Sequence, residues 1–219
     1  MIRQRVVETN QGIQGTDMVE IFDRFARNMR DKGYHPVEGI VRECIHGGRA
    51  LEIGPGPGYV GLEWLKRCPK AMLTGLEISP DMILLARRNA EGYGLSARAE
   101  YALGSGLQMP FPDDSFDGVF SNGSLHEWED PARVFDEILR VLKPGGRCFV
   151  VDMRRDVNPL VKWMIYGTTQ PREIRPGFLT SLAASYTVSE LEAISKRSQL
   201  QGVRVRPEFF GLTLTGGKT

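Results

Sequence analysis

The sequence predicts an α/β fold in which helices cover both faces of a parallel sheet. Two observations lead to this prediction. An apolar strand runs into a glycine-rich turn and then a helical pattern over residues 50–65, and strand and helix patterns continue to alternate as far as residue 153. Such alternation is typical of parallel sheets buried on both faces. A chain of 219 residues is long enough for one such domain with a real core.

The glycine-rich turn is the most specific feature. Residues 51–58 read Leu-Glu-Ile-Gly-Pro-Gly-Pro-Gly. Glycines are required where the backbone bends sharply and a ligand must approach it closely, because a Cβ would clash. A strand, a glycine turn and a helix together form the opening of a nucleotide-binding α/β unit.

Two classes of ligand fit this turn. Gly56, Gly58 and Gly61 match the dinucleotide pattern G-x-G-x-x-G, whereas Glu52 followed by Gly54, Gly56 and Gly58 matches a site for S-adenosylmethionine (SAM). A dinucleotide brings a pyrophosphate anion, which suits the positive end of a helix. SAM brings an ammonium and a sulfonium instead. A carboxylate at Glu52 attracts these cations and repels the anion, so it favours SAM.

Composition excludes several classes of protein. The formal net charge is +1, so no overall field attracts nucleic acid. No apolar run approaches the ~18 residues of a membrane span, and the N-terminus lacks the apolar core of a secretion signal. Cys44, Cys68 and Cys148 are odd in number and widely spaced, which indicates reduced, buried cysteines and no disulfide or zinc framework. A cytoplasmic protein is expected.

Helical spacing before the glycine turn predicts two helices, one over Met18–Met29 and one over Val37–Ile45. After the turn, Ser79 and Asp130 are predicted to cap helices whose first residue is proline. The predicted later strands cover residues 71–77, 98–103, 116–122 and 148–153.

The C-terminal third is less regular. We expect a short helix near 158–166 followed by a loop, and a helix that begins with a capping box formed by Thr187 and Glu190. Residues 203–205 and 209–214 alternate weakly and predict a closing pair of strands. No internal repeat or long linker is evident, so residues 1–219 are predicted to form one domain.

Glu77 provides a second chemical signal. It ends the second predicted strand, 21 residues after Gly56. A carboxylate at this position can accept hydrogen bonds from both hydroxyls of a ribose. It serves SAM and NAD equally, but it disfavours NADP, whose extra phosphate it would repel.

Four motifs in order resemble those of class I SAM-dependent methyltransferases, and the resemblance covers residues 46–153. They are Leu51–Gly58, Gly75–Glu77, Met109–Asp117 and Arg140–Gly146. The most similar branch acts on small molecules and includes the ubiquinone/menaquinone-biosynthesis type of C-methyltransferase. The resemblance implies a Rossmann-like three-layer sandwich. Its sheet would have seven strands, mostly parallel with an antiparallel last strand, and the site would lie at the carboxyl ends of the strands.

The resemblance also implies roles for individual residues. The glycines of the turn would line the methionine end of SAM, and Glu52 would engage its ammonium through water or backbone. Glu77 would bind the ribose, and Ile78 would lie against the adenine. S-adenosylhomocysteine would be the product.

One departure from the family concerns the adenine. Family members often have Gly-Asp-Ala after the third strand, whereas this chain has Gly104-Ser105-Gly106. Ser105 can accept one hydrogen bond but carries no charge. Backbone near Leu107 is an alternative contact to the adenine.

The segment after the fourth strand would pass under the transferable methyl group. Asn122 is a candidate contact to the methionine end, and His126 is a candidate catalytic residue that could take a proton from the acceptor. A purely structural histidine at a turn is the alternative. A metal is not expected, because Asp152 has no evident acidic partner in the sequence and Glu127, Glu129 and Asp130 read as a solvated turn and a helix cap.

Substrate recognition is predicted in two segments, an N-terminal helical cap over residues 1–46 and a lid over residues 154–186. The lid interleaves basic and aromatic side chains, which suits an anionic or aromatic small molecule but equally suits arginines and lysines lying over a core of aromatic rings. Nucleic acid is an improbable substrate because no binding module or basic excess is present.

The predicted function is therefore in-line transfer of a methyl group from SAM to a small molecule. Two alternatives stay open: an NAD-dependent oxidoreductase, and a non-catalytic subunit with the same fold that binds a partner protein. The oxidoreductase would lack an evident Tyr-x-x-x-Lys pair.

Overall fold

The central sheet has seven strands in the order β3-β2-β1-β4-β5-β7-β6. A computed structural model describes residues 4–8, 12–43 and 45–219. The strands are β1 (Arg49–Ile53), β2 (Met72–Glu77), β3 (Ala99–Leu103), β4 (Phe116–Asn122), β5 (Leu142–Met153), β6 (Gln201–Pro207) and β7 (Gly211–Gly217). Within this sheet β7 pairs antiparallel with both of its neighbours, and the other pairings are parallel. The predicted fold class is confirmed.

Helices flank the sheet on both faces. They are α1 (Thr16–Asp31), α2 (Val37–Arg42), α3 (Tyr59–Arg67), α4 (Pro80–Gly92), α5 (Pro131–Val141), α6 (Pro159–Thr168), α7 (Arg175–Ala184) and α8 (Val188–Ser195). Short 3₁₀ helices lie at Leu125–Glu127 and Arg172–Ile174. Within the described residues, none of these helices combines the length and the apolar character that a bilayer crossing requires.

Alternation along β1 divides the core between the two faces of the sheet. Leu51 and Ile53 join a cluster with α5 and α8, whereas Ala50 joins a second cluster that includes Trp64 of α3. Side chains of a strand point alternately to opposite faces. Glu52 therefore points to the same face as Ala50, toward α3, and is 2% exposed.

The predicted caps are present. Ser79 Oγ accepts the backbone N–H of Met82 at the start of α4, and Asp130 accepts that of Arg133 at the start of α5. Thr187 and Glu190 form the complete capping box of α8. Each cap satisfies a backbone donor that has no partner within its helix.

Three predictions about the elements were wrong in part. The second helix ends at Arg42, short of the predicted Ile45, and Cys44 lies outside the described residues. β5 begins at Leu142, where it already pairs with Phe116, so it includes the Pro-Gly-Gly turn that was expected to precede it. The loop expected after the short helix contains α7, which packs against the 3₁₀ helix Leu125–Glu127.

Candidate active site

The carboxyl ends of β1, β2, β4 and β5 meet at one edge of the sheet, and the predicted site residues that belong to these strands lie there. In open α/β sheets, ligands bind in the crevice outside this edge. The glycine turn follows β1, Glu77 ends β2, and Asn122 ends β4 with an exposed side chain. The structure therefore brings the predicted cofactor residues of these three strands together.

The glycine turn adopts a conformation that other residues rarely reach. Gly54 has φ 66° and Gly58 has φ 83°, in the left-handed region. A Cβ on Gly54 would lie 2.7 Å from Cβ of Ser124, and a Cβ on Gly58 would lie 2.7 Å from Oη of Tyr101. The turn is thus held tightly against β3 and the segment that follows β4, and only glycine fits at these two positions.

Glu77 spans the gap between the turn and β2. Its Oε2 accepts the backbone N–H of Gly56 at 3.0 Å, and its Oε1 accepts those of Ile78 and Ser79 at 2.9 and 3.0 Å. The carboxylate is fixed by three donors and keeps further lone pairs for ligand hydroxyls. This geometry suits the predicted contact to a ribose.

Glu52 lies beneath the turn as a buried carboxyl. Burial, and then the nearby charge of Glu77, raise its pKa to about 8, although the N–H of Gly61 opposes this rise. Among the described residues, Glu52 Oε2 and Tyr101 Oη are buried polar atoms without a hydrogen-bond partner. A buried polar atom without a partner is costly. A cationic group at this end of the turn would compensate for that cost.

The structure supports some adenine contacts more than others. Ser105 Oγ accepts the backbone N–H of Leu107 at 3.2 Å, so part of its capacity is used locally. Ile78 is 39% exposed beside Glu77, and Gly12 of the N-terminal segment lies over it. Gly106 packs close to Val134 of α5.

Helix α1 covers the glycine turn. A Cβ on Gly56 would lie 3.5 Å from the ring of Phe22. Asp23, which is buried, accepts the hydroxyl of Tyr59 at 2.8 Å and pairs with Arg27. A hydrogen bond between α1 and the first residue of α3 therefore fixes the helix over the turn.

His126 is buried in the 3₁₀ helix that follows β4. Its Nδ1 lies 2.9 Å from Oδ2 of Asp152, which also accepts the backbone N–H of His126 at 2.8 Å. Its Nε2 faces Oε2 of Glu8 at 3.6 Å and Oε1 of Glu127 at 4.0 Å. Burial alone would lower the pKa of His126, but the charge and hydrogen bond of Asp152 raise it to about 9.

Sequence reasoning assigned no role to Asp152, Glu8 or Glu127. The expectation that Glu127 belongs to a solvated turn was wrong in part, because it lies in a 3₁₀ helix with its side chain 32% exposed and 4.0 Å from Nε2 of His126. Partial burial raises its pKa to about 7. Asp130 is a helix cap, as expected. A signal for Asp152 was present in the sequence, since it interrupts an otherwise apolar strand near its end. Its partner could not be found, because 26 residues separate the two side chains.

The basic side chains of residues 154–186 are mostly engaged within the protein. Arg154 pairs with Asp156, and Arg155 pairs with Glu190. Arg175 donates to the carbonyl groups of Thr169 and Gly167. These contacts favour the alternative in which the basic side chains have a structural role, and they disfavour the binding of an anionic ligand.

The glycine turn, the acidic end of β2 and the seven-stranded sheet are features of the Rossmann-like fold. Residues 51–150 match the family model described as "Methyltransferase domain". This central part of the chain therefore resembles the methyltransferase domains of the SAM-dependent class, in agreement with the sequence motifs.

Curated relatives match the same part of the chain. The chain is 36% identical over 104 residues to a demethylmenaquinone methyltransferase of Thermus thermophilus. The aligned residues make up 48% of this chain and 46% of the relative. It is 32% identical over 111 residues to a ubiquinone/menaquinone biosynthesis C-methyltransferase of Dinoroseobacter shibae. The aligned residues make up 51% of this chain and 44% of that relative. The chain therefore matches less than half of the length of each.

A solved structure matches nearly the whole chain. It is a protein of Methanococcus maripaludis described as an S-adenosyl-L-methionine-dependent methyltransferase, with a TM-score of 0.73 and 21% identity, covering 95% of this chain and 98% of that one. At this identity the match shows the fold alone.

Proposed function

We propose that the protein transfers a methyl group from SAM to a small-molecule acceptor. The observation that carries this proposal is the cradle formed by the glycine turn, with the buried Glu52 beneath it and Glu77 fixed at its rim. The donor set suits a ligand that ends in an ammonium and carries a ribose. When bound, SAM would supply a methyl group made electrophilic by its sulfonium.

The chain's own residues would orient the reactants. The glycine turn and Glu52 would hold the methionine end, Glu77 the ribose, and Ile78 with the segment Ser105–Leu107 the adenine. Asn122 would contact the methionine end from β4. Holding two reactants in line can supply ~7–11 kcal/mol of the barrier, more than a single acid or base provides.

The residues around the edge of the sheet would exclude water from the place where the reactants meet. Helix α1 lies over the turn, and residues 4–8 contact α7, since Val6 donates its backbone N–H to the carbonyl of Ala183. We infer that residues 1–46 cap the site and that residues 154–186 form its lid, within a single domain. The acceptor would enter between them.

His126 is the proposed catalytic residue, because it lies beyond the end of β4 and its Nε2 faces the carboxyl groups of Glu8 and Glu127. Its Nδ1 is fixed by Asp152, so the ring cannot turn away. The raised pKa keeps the imidazole protonated at neutral pH. It would therefore position polar groups of the acceptor and accept a proton itself only near pH 9.

Ligand-dependent stability tests the proposal against its alternatives. A ligand at a hundred times its dissociation constant should stabilise the protein by ~2.7 kcal/mol. We expect the melting temperature to rise with SAM and with S-adenosylhomocysteine but not with NAD. A response to NAD alone would indicate an oxidoreductase, and a response to none would favour a partner-binding subunit. A cytoplasmic location stays a prediction.

A further inference from the structure

Four ionisable side chains form a cluster beyond the carboxyl ends of β4 and β5. We call Glu8, His126, Glu127 and Asp152 the His126 cluster. It adjoins the glycine turn, because Ser124, two residues before His126, contacts Gly54. Glu127 also interacts with the charge of Glu77 at the cofactor rim. The cluster therefore lies where an acceptor would meet the methyl group.

The cluster presents polar atoms that make no hydrogen bond. His126 is 5% exposed, and its Nε2 makes no hydrogen bond to any residue that the structure describes. Oε2 of Glu8 is likewise buried without a partner among the described residues, while Thr180 donates to its Oε1 at 2.8 Å. The two atoms face each other at 3.6 Å, longer than a hydrogen bond.

The charge of the cluster favours a cation. One imidazolium faces three carboxyl groups, of which Asp152 is already paired with it. The nearby guanidinium of Arg5 donates to the backbone carbonyls of Ala184 and His126. Glu8 and Glu127 therefore share the positive charge of His126 with Asp152. Their side chains are 23% and 32% exposed, so a cation paired with these partly buried carboxyl groups would stabilise them.

Resting on the proposed function, we propose that the methyl acceptor is a primary or secondary amine whose protonated nitrogen binds between Glu8 and Glu127. An ammonium donates to both carboxylates at once and neutralises their excess charge. An acceptor that must ionise to a phenolate or an enolate would instead be repelled by them.

The proton and electrons balance in this scheme. The ammonium transfers one proton to the Glu127 carboxylate, whose raised pKa, about 7, suits it to accept a proton near neutral pH. The free nitrogen lone pair then forms the new bond to the methyl carbon. The carbon–sulfur bond breaks and its electron pair stays on sulfur. The positive charge moves from the sulfonium to the methylated nitrogen, and Glu127 returns its proton to solvent.

The first experiment asks whether the acceptor is an amine. The protein is incubated with methyl-labelled SAM and a deproteinised cell extract, either untreated or with its amines blocked by N-hydroxysuccinimidyl acetate. We expect labelled product from the untreated extract and at least a tenfold loss after blocking. Label that survives blocking would overturn the amine proposal and leave methyl transfer intact. The absence of label from both extracts, while S-adenosylhomocysteine still binds, would also overturn it.

The second experiment asks whether the two carboxylates bind this amine. With the purified acceptor, Glu8→Gln and Glu127→Gln should each raise KM at least tenfold, while the affinity for S-adenosylhomocysteine changes less than twofold. Glu129→Gln is the matched control, because Glu129 is exposed two residues further along. An unchanged KM in both cluster variants would refute the assignment. If the wild-type protein does not bind S-adenosylhomocysteine, the proposed function itself is contradicted.

Discussion

Asp152 holds His126 by two contacts, one to the imidazole Nδ1 at 2.9 Å and one to the backbone N–H at 2.8 Å. The aspartate belongs to β5 and the histidine to the 3₁₀ helix after β4. The pair therefore ties two chain segments together at the edge of the sheet. It also fixes which ring nitrogen faces the acceptor.

This pair makes stability depend on pH. The pKa of His126 is raised from 6.5 to about 9, so its stabilising effect is fully present below pH 6.5 and is lost as pH rises through 9. Asp152→Asn should lower the free energy of unfolding by about 1–3 kcal/mol at pH 6 and by less at pH 10. Denaturant unfolding at both pH values measures this.

Asp113→Asn is the control for that variant. Asp113 pairs with Arg140, but its side chain is 72% exposed, and exposed ion pairs contribute ~0–1 kcal/mol. Its effect should be small and similar at pH 6 and pH 10. If Asp152→Asn lowers the free energy of unfolding as much at pH 10 as at pH 6, the charge of His126 does not have the role assigned to it.

Binding of SAM should release a proton from Glu52. The pKa of this carboxyl is about 8 because it is buried, so it is mostly protonated at pH 7. A cation bound nearby favours the ionised form and lowers the pKa. Calorimetric titration in buffers that differ in ionisation enthalpy should therefore show proton release at pH 7. Glu52→Gln should abolish it. Equal binding enthalpies in all buffers for wild type would disprove this coupling.

Gly54→Ala should damage both the turn and ligand binding. The positive φ and the contact with Ser124 at 2.7 Å leave no room for a Cβ. We expect a loss of about 1–3 kcal/mol in stability and no thermal shift with S-adenosylhomocysteine. Gly92→Ala is the matched control, because Gly92 lies in α4 with nothing near its Cβ position. That change should be neutral or stabilise by ~0.4–1 kcal/mol.

Tyr59→Phe should loosen α1 without unfolding the domain. The variant loses the hydroxyl that donates to Asp23 at 2.8 Å, a hydrogen bond worth ~0.5–1.5 kcal/mol. Because α1 covers the glycine turn, we expect faster amide hydrogen exchange in α1 and faster dissociation of S-adenosylhomocysteine. Exchange in β4 should stay unchanged. If amide hydrogens in α1 exchange as slowly in the variant as in the wild-type protein, the hydrogen bond does not hold this helix.

Local patterns were sufficient for most elements. The span 116–122 of β4, the capping box at Thr187 and the cap at Ser79 depend on neighbouring residues only, and each is present as predicted. Helix α7 was missed, because its sequence lacks a strong apolar stripe. It forms where the chain packs against the 3₁₀ helix Leu125–Glu127, a contact that no local pattern encodes.

The sequence by itself determined the class of site. The glycine turn, Glu52 and Glu77 lie close enough in the chain for their spacing to indicate a ligand. Only the tertiary structure decided what faces the acceptor, because Glu8, His126 and Asp152 come from three distant segments that meet where β4 and β5 end. Charge interactions depend on distance in space, and that distance is set by the packing of the whole chain.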